Sequence, residues 1–297
     1  MEDPKRPERL FRYFPPEASS FFSDKKLWFS SLKGYNDPFD GLPRFDVMME
    51  SQLQEIINQE YAFVPPDISC DFKAFKKAMK LKADAFLDWG VDALPNKYRD
   101  IIGDRFRLIC FSETHDDLLM WGHYAKGHTG FVVQFDPSHQ MFTDDELGKV
   151  QYPETSERLA IAPHDQTADE LWRILFCKSP HWKYEREWRL VEAANRLQEG
   201  ERTSDRNRMR FINLPVDSVL AIYIGWQMPT EAADNLILPL RATEWNRVRK
   251  FQMRPSRAKY GVEPVSWEEW INRPKFKTSL DKLIPISTQQ NSRTPGS

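Results

Sequence analysis

Residues 110–136 read CFSETHDDLLMWGHYAKGHTGFVVQFD, and the pattern is strand, corner, short helix, turn, strand. Ile109, Cys110 and Phe111 give residues 107–112 a β-favouring centre. Thr114, followed three residues later by Asp117, fits a helix-start pattern. The predicted helix carries Leu118, Leu119, Trp121, Tyr124 and Ala125 and stops at Gly127, since glycine takes the left-handed backbone that helix ends favour. Residues 129–135 are β-branched and aromatic and read as a buried strand. Ser112, Glu113, His115, Asp116, Trp121, His123 and Tyr124 are all expected near this corner.

Working toward the N-terminus, LFRYF at 10–14 and LWFSS at 27–31 have strand composition. Arg12 and Tyr13 are adjacent and face opposite sides if the chain is extended. Between residues 34 and 43 the chain reads GYNDPFDGLP. Asp37 precedes a proline and is biased to an extended backbone, and Asn36, Asp37 and Asp40 can close the loop on nearby amides. Residues 44–103 carry apolar residues at helical spacing and read as a helical insertion. Within it Lys73, Lys76, Lys77, Lys80 and Lys82 read as a solvated face.

Toward the C-terminus, strands are expected at 147–152, 187–191, 209–214, 219–225 and 248–253. Helices are expected at 165–178, from Pro229 to about residue 242, and at 267–271. Residues 195–210 are charged and read as a loop. Strands and helices do not alternate one for one. The expected fold is therefore α+β: a bent or split, largely antiparallel β-sheet with a helical insertion after the first two strands. Residues 1–286 are expected to form a single α+β domain, and 287–297 a disordered tail.

The chain has 297 residues, a net charge of −2, and 29% charged and 40% hydrophobic residues. That charge supplies no bulk attraction to nucleic acid or anionic membrane. No apolar run reaches the roughly 18 residues of a membrane span, and the start of the chain lacks a signal-peptide core. Three widely spaced cysteines suggest neither a disulfide framework nor a zinc knuckle, so a cytoplasmic setting is expected. Aromatic residues reach 13%, with ten Trp, which suits an aromatic core first and stacking sites second.

Gly-rich phosphate loops, a GxSxG elbow and HExxH are all missing from the sequence. His115, His123 and His128 lie close to Asp116 and Asp117. However, His123 and His128, five residues apart, do not share a helix face, and no metal is predicted. The densest charged motif is YEREWR at 184–189. In an extended strand Glu185, Glu187 and Arg189 share one side, with the two carboxylates roughly 7 Å apart. One could stabilise a cation or bind a hydroxyl while an arginine holds the other.

The pieces LWFSS, NDPFD, CFSE, LLMWGHY, GFVVQFD and KxxxWxYExEWR, spread over roughly residues 10–260, resemble a bacterial family catalogued as domain of unknown function 2971. A second resemblance is to ADP-ribosyltransferases of the arginine–serine–glutamate type. It rests on the order Arg12, then Phe29-Ser30 or Phe111-Ser112, then Glu185-x-Glu187. That resemblance implies NAD as substrate. Arg12 would fork onto pyrophosphate, with Tyr13 and Ser30 beside it. Trp28, Trp121 or Tyr124 would stack on nicotinamide. Glu187 would stabilise the anomeric carbon, with Glu185 and Ser112 as catalytic partners. A nucleotide, nucleic-acid or protein acceptor and a toxin or phage-defence setting would follow. Two other classes compete: a nucleotide- or protein-binding module without catalysis, and a nuclease holding metal on Asp37, Asp40, Glu185 and Glu187.

Overall fold

Strand β1 (Leu10–Phe14) lies inside a sheet because its odd and even residues are both apolar enough to be covered on two sides. Phe11 and Tyr13 belong to one core and Leu10 and Phe14 to another. The computed structural model describes residues 6–45, 94–142, 146–155, 157–161, 168–202 and 208–266. Most of the expected insertion, its lysine run, residues 267–271 and the tail from 287 lie outside the described residues.

The main sheet extends from β1 on both sides. β4 (Phe106–Ser112), β8 (Glu187–Ala193) and β6 (Leu147–Lys149) follow on one side. β5 (Phe131–Phe135) and β11 (Val219–Ile224) lie on the other, continued by β12 (Arg249–Pro255) and β13 (Val262–Ser266). The order is β13-β12-β11-β5-β1-β4-β8-β6, and every pair is antiparallel except β11 with β12. β2 (Lys26–Phe29), β10 (Arg208–Asn213) and β9 (Gln198–Arg202) form a smaller antiparallel sheet. β3 (Arg44–Phe45) pairs in parallel with β7 (Ala160–Ile161). The architecture is thus α+β around a split, largely antiparallel sheet. The helix Leu94–Arg105 closes the inserted stretch just before β4.

The split lies between β1 and β4. β1 pairs with β5 along its whole length, but with β4 only at Phe11 and Ser112. Beyond that point the strands part. Leu108 of β4 instead exchanges two backbone bonds of 2.9 Å with Ser30, which brings in the end of the small sheet. The carbonyls freed along β4 must find other donors, and the cleft this leaves is where polar side chains gather.

The corner at 110–136 is rigid for identifiable reasons. Its helix spans Leu118–His123, and Asp117 caps it by accepting from the Met120 amide at 2.9 Å. The expected start at Thr114 is therefore too early. Thr114 is occupied with Asp116, and the Asp117 carboxylate takes the orphan helix donor. Lys126, Gly127 and His128 all have positive φ and reverse the chain. Gly130 follows, where a Cβ would collide with the Phe14 carbonyl oxygen. Trp121 has no exposed surface, and its indole N–H donates to the His115 carbonyl at 2.7 Å.

Candidate functional site

Between β1 and β4 lies a cavity of about 340 Å³. Arg12 and Tyr13 reach it from β1, Ser30 from the end of β2, and Ser112 from β4. Tyr124 enters from the corner helix, and Glu185 and Glu187 from the start of β8. Trp28 and Trp121 do not line it. Trp28 lies against Phe211 of the small sheet, with Lys26 over the pair. Trp121 fills the core between Tyr13 and His128. Neither indole is placed to stack on a ligand in this cavity.

The acid wall is built by a local backbone device. Glu185 ends a 3₁₀ turn, Pro180–Glu185, and Arg186 takes a left-handed backbone with φ 46°. The chain therefore turns between Glu185 and Glu187 rather than running extended, as the sequence suggested. Both acids meet one ammonium instead of spacing out along a strand. Lys178 Nζ lies 2.5 Å from Glu185 Oε2, 3.2 Å from Glu187 Oε2 and 4.0 Å from Asp40 Oδ2. Arg189, fully buried, grips Asp40 through two bonds of 2.9 and 2.7 Å. It also binds Glu187 at 2.8 and 3.1 Å and the Leu175 carbonyl at 2.6 Å. Three carboxylates face two cations, so the buried cluster carries one net negative charge when all are ionised.

This environment separates the two glutamates. Burial by itself would raise Glu187, but the fields and bonds of Arg189 and Lys178 outweigh it and hold the carboxyl down at about 2. Glu185 is shifted up: burial raises it, the ammonium of Lys178 only partly opposes that, and Glu187 adds repulsion. Asp40 is also raised by burial, against the pull of Arg189. Lys178 is raised because the three acids overcome its desolvation. Tyr124 donates to Glu185 Oε1 at 2.5 Å, and burial beside that acid keeps its phenol protonated. Burial likewise holds the Cys110 thiol up, with its sulfur 3.1 Å from the Tyr35 hydroxyl. Cys110 is thus no ready nucleophile.

The opposite wall is bare by comparison. The half-buried Arg12 guanidinium has one long bond, 3.4 Å, to the Cys110 carbonyl freed by the split, and it lies over the Phe14 ring. Its Nε is buried without a partner, and no carboxylate pairs with it among the described residues. Burial lowers its pKa. The Ser112 hydroxyl, in contrast, is fully engaged: it donates to the Glu185 carbonyl at 2.7 Å and accepts from the Thr114 amide. Its visible work is to fix the Glu185 backbone.

The four acids considered as metal ligands do not assemble as such. Asp37 turns aside to accept from the Phe39 amide at 2.9 Å. Asp40, Glu185 and Glu187 converge, but on Lys178 and Arg189, whose charges occupy the place a metal would need. No group of three metal-ligating side chains is found among the described residues. His115 stacks on Phe11 and His128 on Trp121, so the histidines do not converge either. Sequence reasoning missed Lys178, Tyr35 and Tyr152, whose hydroxyl accepts from the Glu187 amide at 3.0 Å. The signal for Lys178 was available: it opens the KxxxWxYExEWR motif, seven residues before Glu185.

Among the described residues no helix is long and apolar enough to cross a membrane. A family model described as "Protein of unknown function (DUF2971)" matches residues 120–190. That stretch carries Tyr124, Lys178, Glu185, Glu187 and Arg189, but not Arg12, Asp40 or Ser112. It is shorter than the span of about 10–260 over which the motifs resemble that family. No curated protein and no solved structure matches the chain. The chain is therefore similar over that stretch alone to a family whose description assigns no activity.

Proposed function

We propose that the β1–β4 cavity binds NAD and promotes cleavage of its nicotinamide–ribose bond, with ADP-ribose passing to water or to an acceptor. One observation carries this reading. A guanidinium with no acidic partner among the described residues faces, across one cavity, two carboxylates whose surroundings pull their pKa values apart. Arg12 would take a pyrophosphate oxygen pair, and Tyr13 and Ser30 would flank it. As the C1′–N bond breaks, its electron pair leaves with neutral nicotinamide and positive charge grows at C1′. Glu187, held anionic and immobile, stabilises that charge. A hydroxyl then bonds to C1′ and gives its proton to Glu185, oriented by Tyr124 and Lys178. The acceptor can be a nucleotide, nucleic acid or protein. An activity that consumes NAD suits a toxin or phage-defence effector. We also read residues 1–286 as a single domain.

A second reading, binding without turnover, is favoured by one feature: all four oxygens of Glu185 and Glu187 already have partners. Nicotinamide release by purified protein, beside Glu185→Gln and Glu187→Gln, separates the two. Catalysis predicts release that falls about 100-fold or more in the Glu187 variant. NAD-induced stabilisation with no release leaves the binding module. Neither release nor stabilisation rejects both.

A further inference from the structure

A second hollow of about 660 Å³ adjoins the first, and Lys178 borders both. One loop passes between them: Gly34, Tyr35 and Asn36 line the smaller cavity, and Asp37, Pro38 and Phe39 the larger. The Lys178 ammonium is held by Glu185 and Glu187 and lies over the Trp182 ring, 4.9 Å from its centre. Ser179 and His181 are likewise engaged with each other, Oγ and Nδ1 being 3.0 Å apart. Of the described residues that line the larger hollow, Asp37 alone keeps a buried side-chain polar atom without a partner.

Asp37 is 2% exposed. Its Oδ1 accepts from the Phe39 amide at 2.9 Å, while its Oδ2 has no donor among the described residues. A buried carboxylate oxygen without a donor is costly, and such an atom in a native fold calls for a group that completes it. A carboxylate only accepts, so the completing group is a donor, and a cationic donor bonds most strongly. The same hollow supplies what a long basic side chain needs. Leu42, Leu159 and Ile174 offer aliphatic surface to a methylene stem. Phe39, 58% exposed and without a ring partner among the described aromatic contacts, offers a ring face to the charge. The volume also leaves room for the residues on either side of that side chain.

We infer that the larger chamber docks a peptide segment of a protein acceptor, with a Lys or Arg of that segment anchored on Asp37 Oδ2. That such a segment receives ADP-ribose rests on the NAD reading; the docking itself does not. The basic side chain is an anchor and not the reacting group, because Asp37 does not line the cavity that holds Glu185 and Glu187. Charge selects a protein among the three acceptor classes. A nucleotide or nucleic acid would set phosphates beside an oxygen that already lacks a donor.

Calorimetric titration of the full chain, without NAD, tests this with three probes. They are the capped peptide Gly-Leu-Lys-Leu-Gly, the same peptide with norleucine in place of lysine, and a short oligothymidylate. Norleucine keeps an aliphatic stem and drops the ammonium. Wild type is expected to bind the lysine peptide about tenfold or more tightly than the norleucine peptide, the scale of one charge-assisted hydrogen bond. Asp37→Asn keeps an oxygen for the Phe39 amide and is expected to erase that difference. Leu42→Trp, which fills the chamber, is expected to abolish binding of both peptides. Melting curves of the variants show that each is folded, and the two-peptide comparison in wild type decides even where a variant is not. Equal or absent binding of the two peptides to wild type overturns the inference, as does a lysine preference that survives Asp37→Asn. Oligothymidylate bound in preference to the lysine peptide overturns it too and makes the acceptor a nucleic acid. Nicotinamide release by the same wild-type protein keeps the two readings apart. A lysine preference without release leaves the docking site and removes the NAD reading, and release without the preference does the reverse.

Discussion

The two walls of the β1–β4 cleft are built on opposite electrostatic plans. On the β8 side, Asp40, Lys178, Glu185, Glu187 and Arg189 satisfy one another almost completely, down to a bidentate Arg–Asp pair with no exposed surface. On the β1 side, Arg12 has little more than one distant carbonyl. A buried charge without a partner costs stability, and a paired one is kept for geometry rather than for net gain. The saturated wall therefore supports the fold and fixes two carboxylates in space. The bare wall has a guanidinium with no carboxylate partner among the described residues, which an anionic ligand would complete.

The sharpest way to break this contrast is to remove a charge from the saturated wall. Arg189→Met leaves Asp40 and Glu187 buried, with Lys178 as the cluster's remaining cation among the described residues. We expect a loss of about 3–5 kcal/mol, read by urea denaturation followed through tryptophan fluorescence. Adding Asp40→Asn should recover part of it, because the stranded acid is then neutral. A loss below about 1 kcal/mol would mean that the cluster is no more integral to the fold than a surface pair.

The same contrast explains what the sequence could reveal. Strands β1, β4, β5 and β11 were legible because their β-branched and aromatic runs are buried on both sides, a local signal with a global cause. β9 was not: QEGER is charged and reads as loop, and its pairing with β10 comes from tertiary context. β13, with a proline inside it, was missed for a related reason. At the site, residue types and order pointed to Arg12, Tyr124, Glu185 and Glu187. The left-handed Arg186 that turns Glu185 inward has no sequence mark, since arginine seldom adopts that backbone. Ring chemistry marks Trp28 and Trp121 equally, and it does not distinguish an indole packed within the fold from one that stacks on a ligand. Asp40 looked like a loop-closing residue. Its partner Arg189 is 149 residues away, a distance no local pattern spans.

Titration sharpens the comparison with a smaller effect. Glu187 sits at about 2 in the fold against an ordinary 4.5, so as pH falls the unfolded chain takes its proton first. Its contribution is whole above pH 4.5 and is lost as pH drops toward 2. Asp40 and Glu185 are shifted up and work the other way, because the folded state protonates them first. Glu187→Gln removes that acid together with the repulsion it exerts on Glu185 and Asp40, so the second effect offsets part of the first. We expect wild type to lead by about 2 kcal/mol near neutrality, with the gap in melting temperature closing between pH 4.5 and 2. A gap that stays constant across that window would show that Glu187 is not held anionic by its neighbours.

The smallest expected change in stability comes from Arg12, which makes it the most informative about function. Arg12→Met removes a desolvated charge and one long hydrogen bond, and it forfeits the contact over Phe14. Relief of the first offsets loss of the others, so stability should stay within about 1 kcal/mol of wild type. Binding should not be spared. If Arg12 awaits an anion, ADP-ribose affinity falls about tenfold or more, because one charge-assisted fork is lost. The two measurements together separate a ligand residue from a structural one. A stability loss like that of Arg189→Met would mean that the fold depends on the β1 wall no less than on the β8 wall. Unchanged affinity in a stable variant would mean that the guanidinium does not face the ligand, and the asymmetry of the cleft would need another cause.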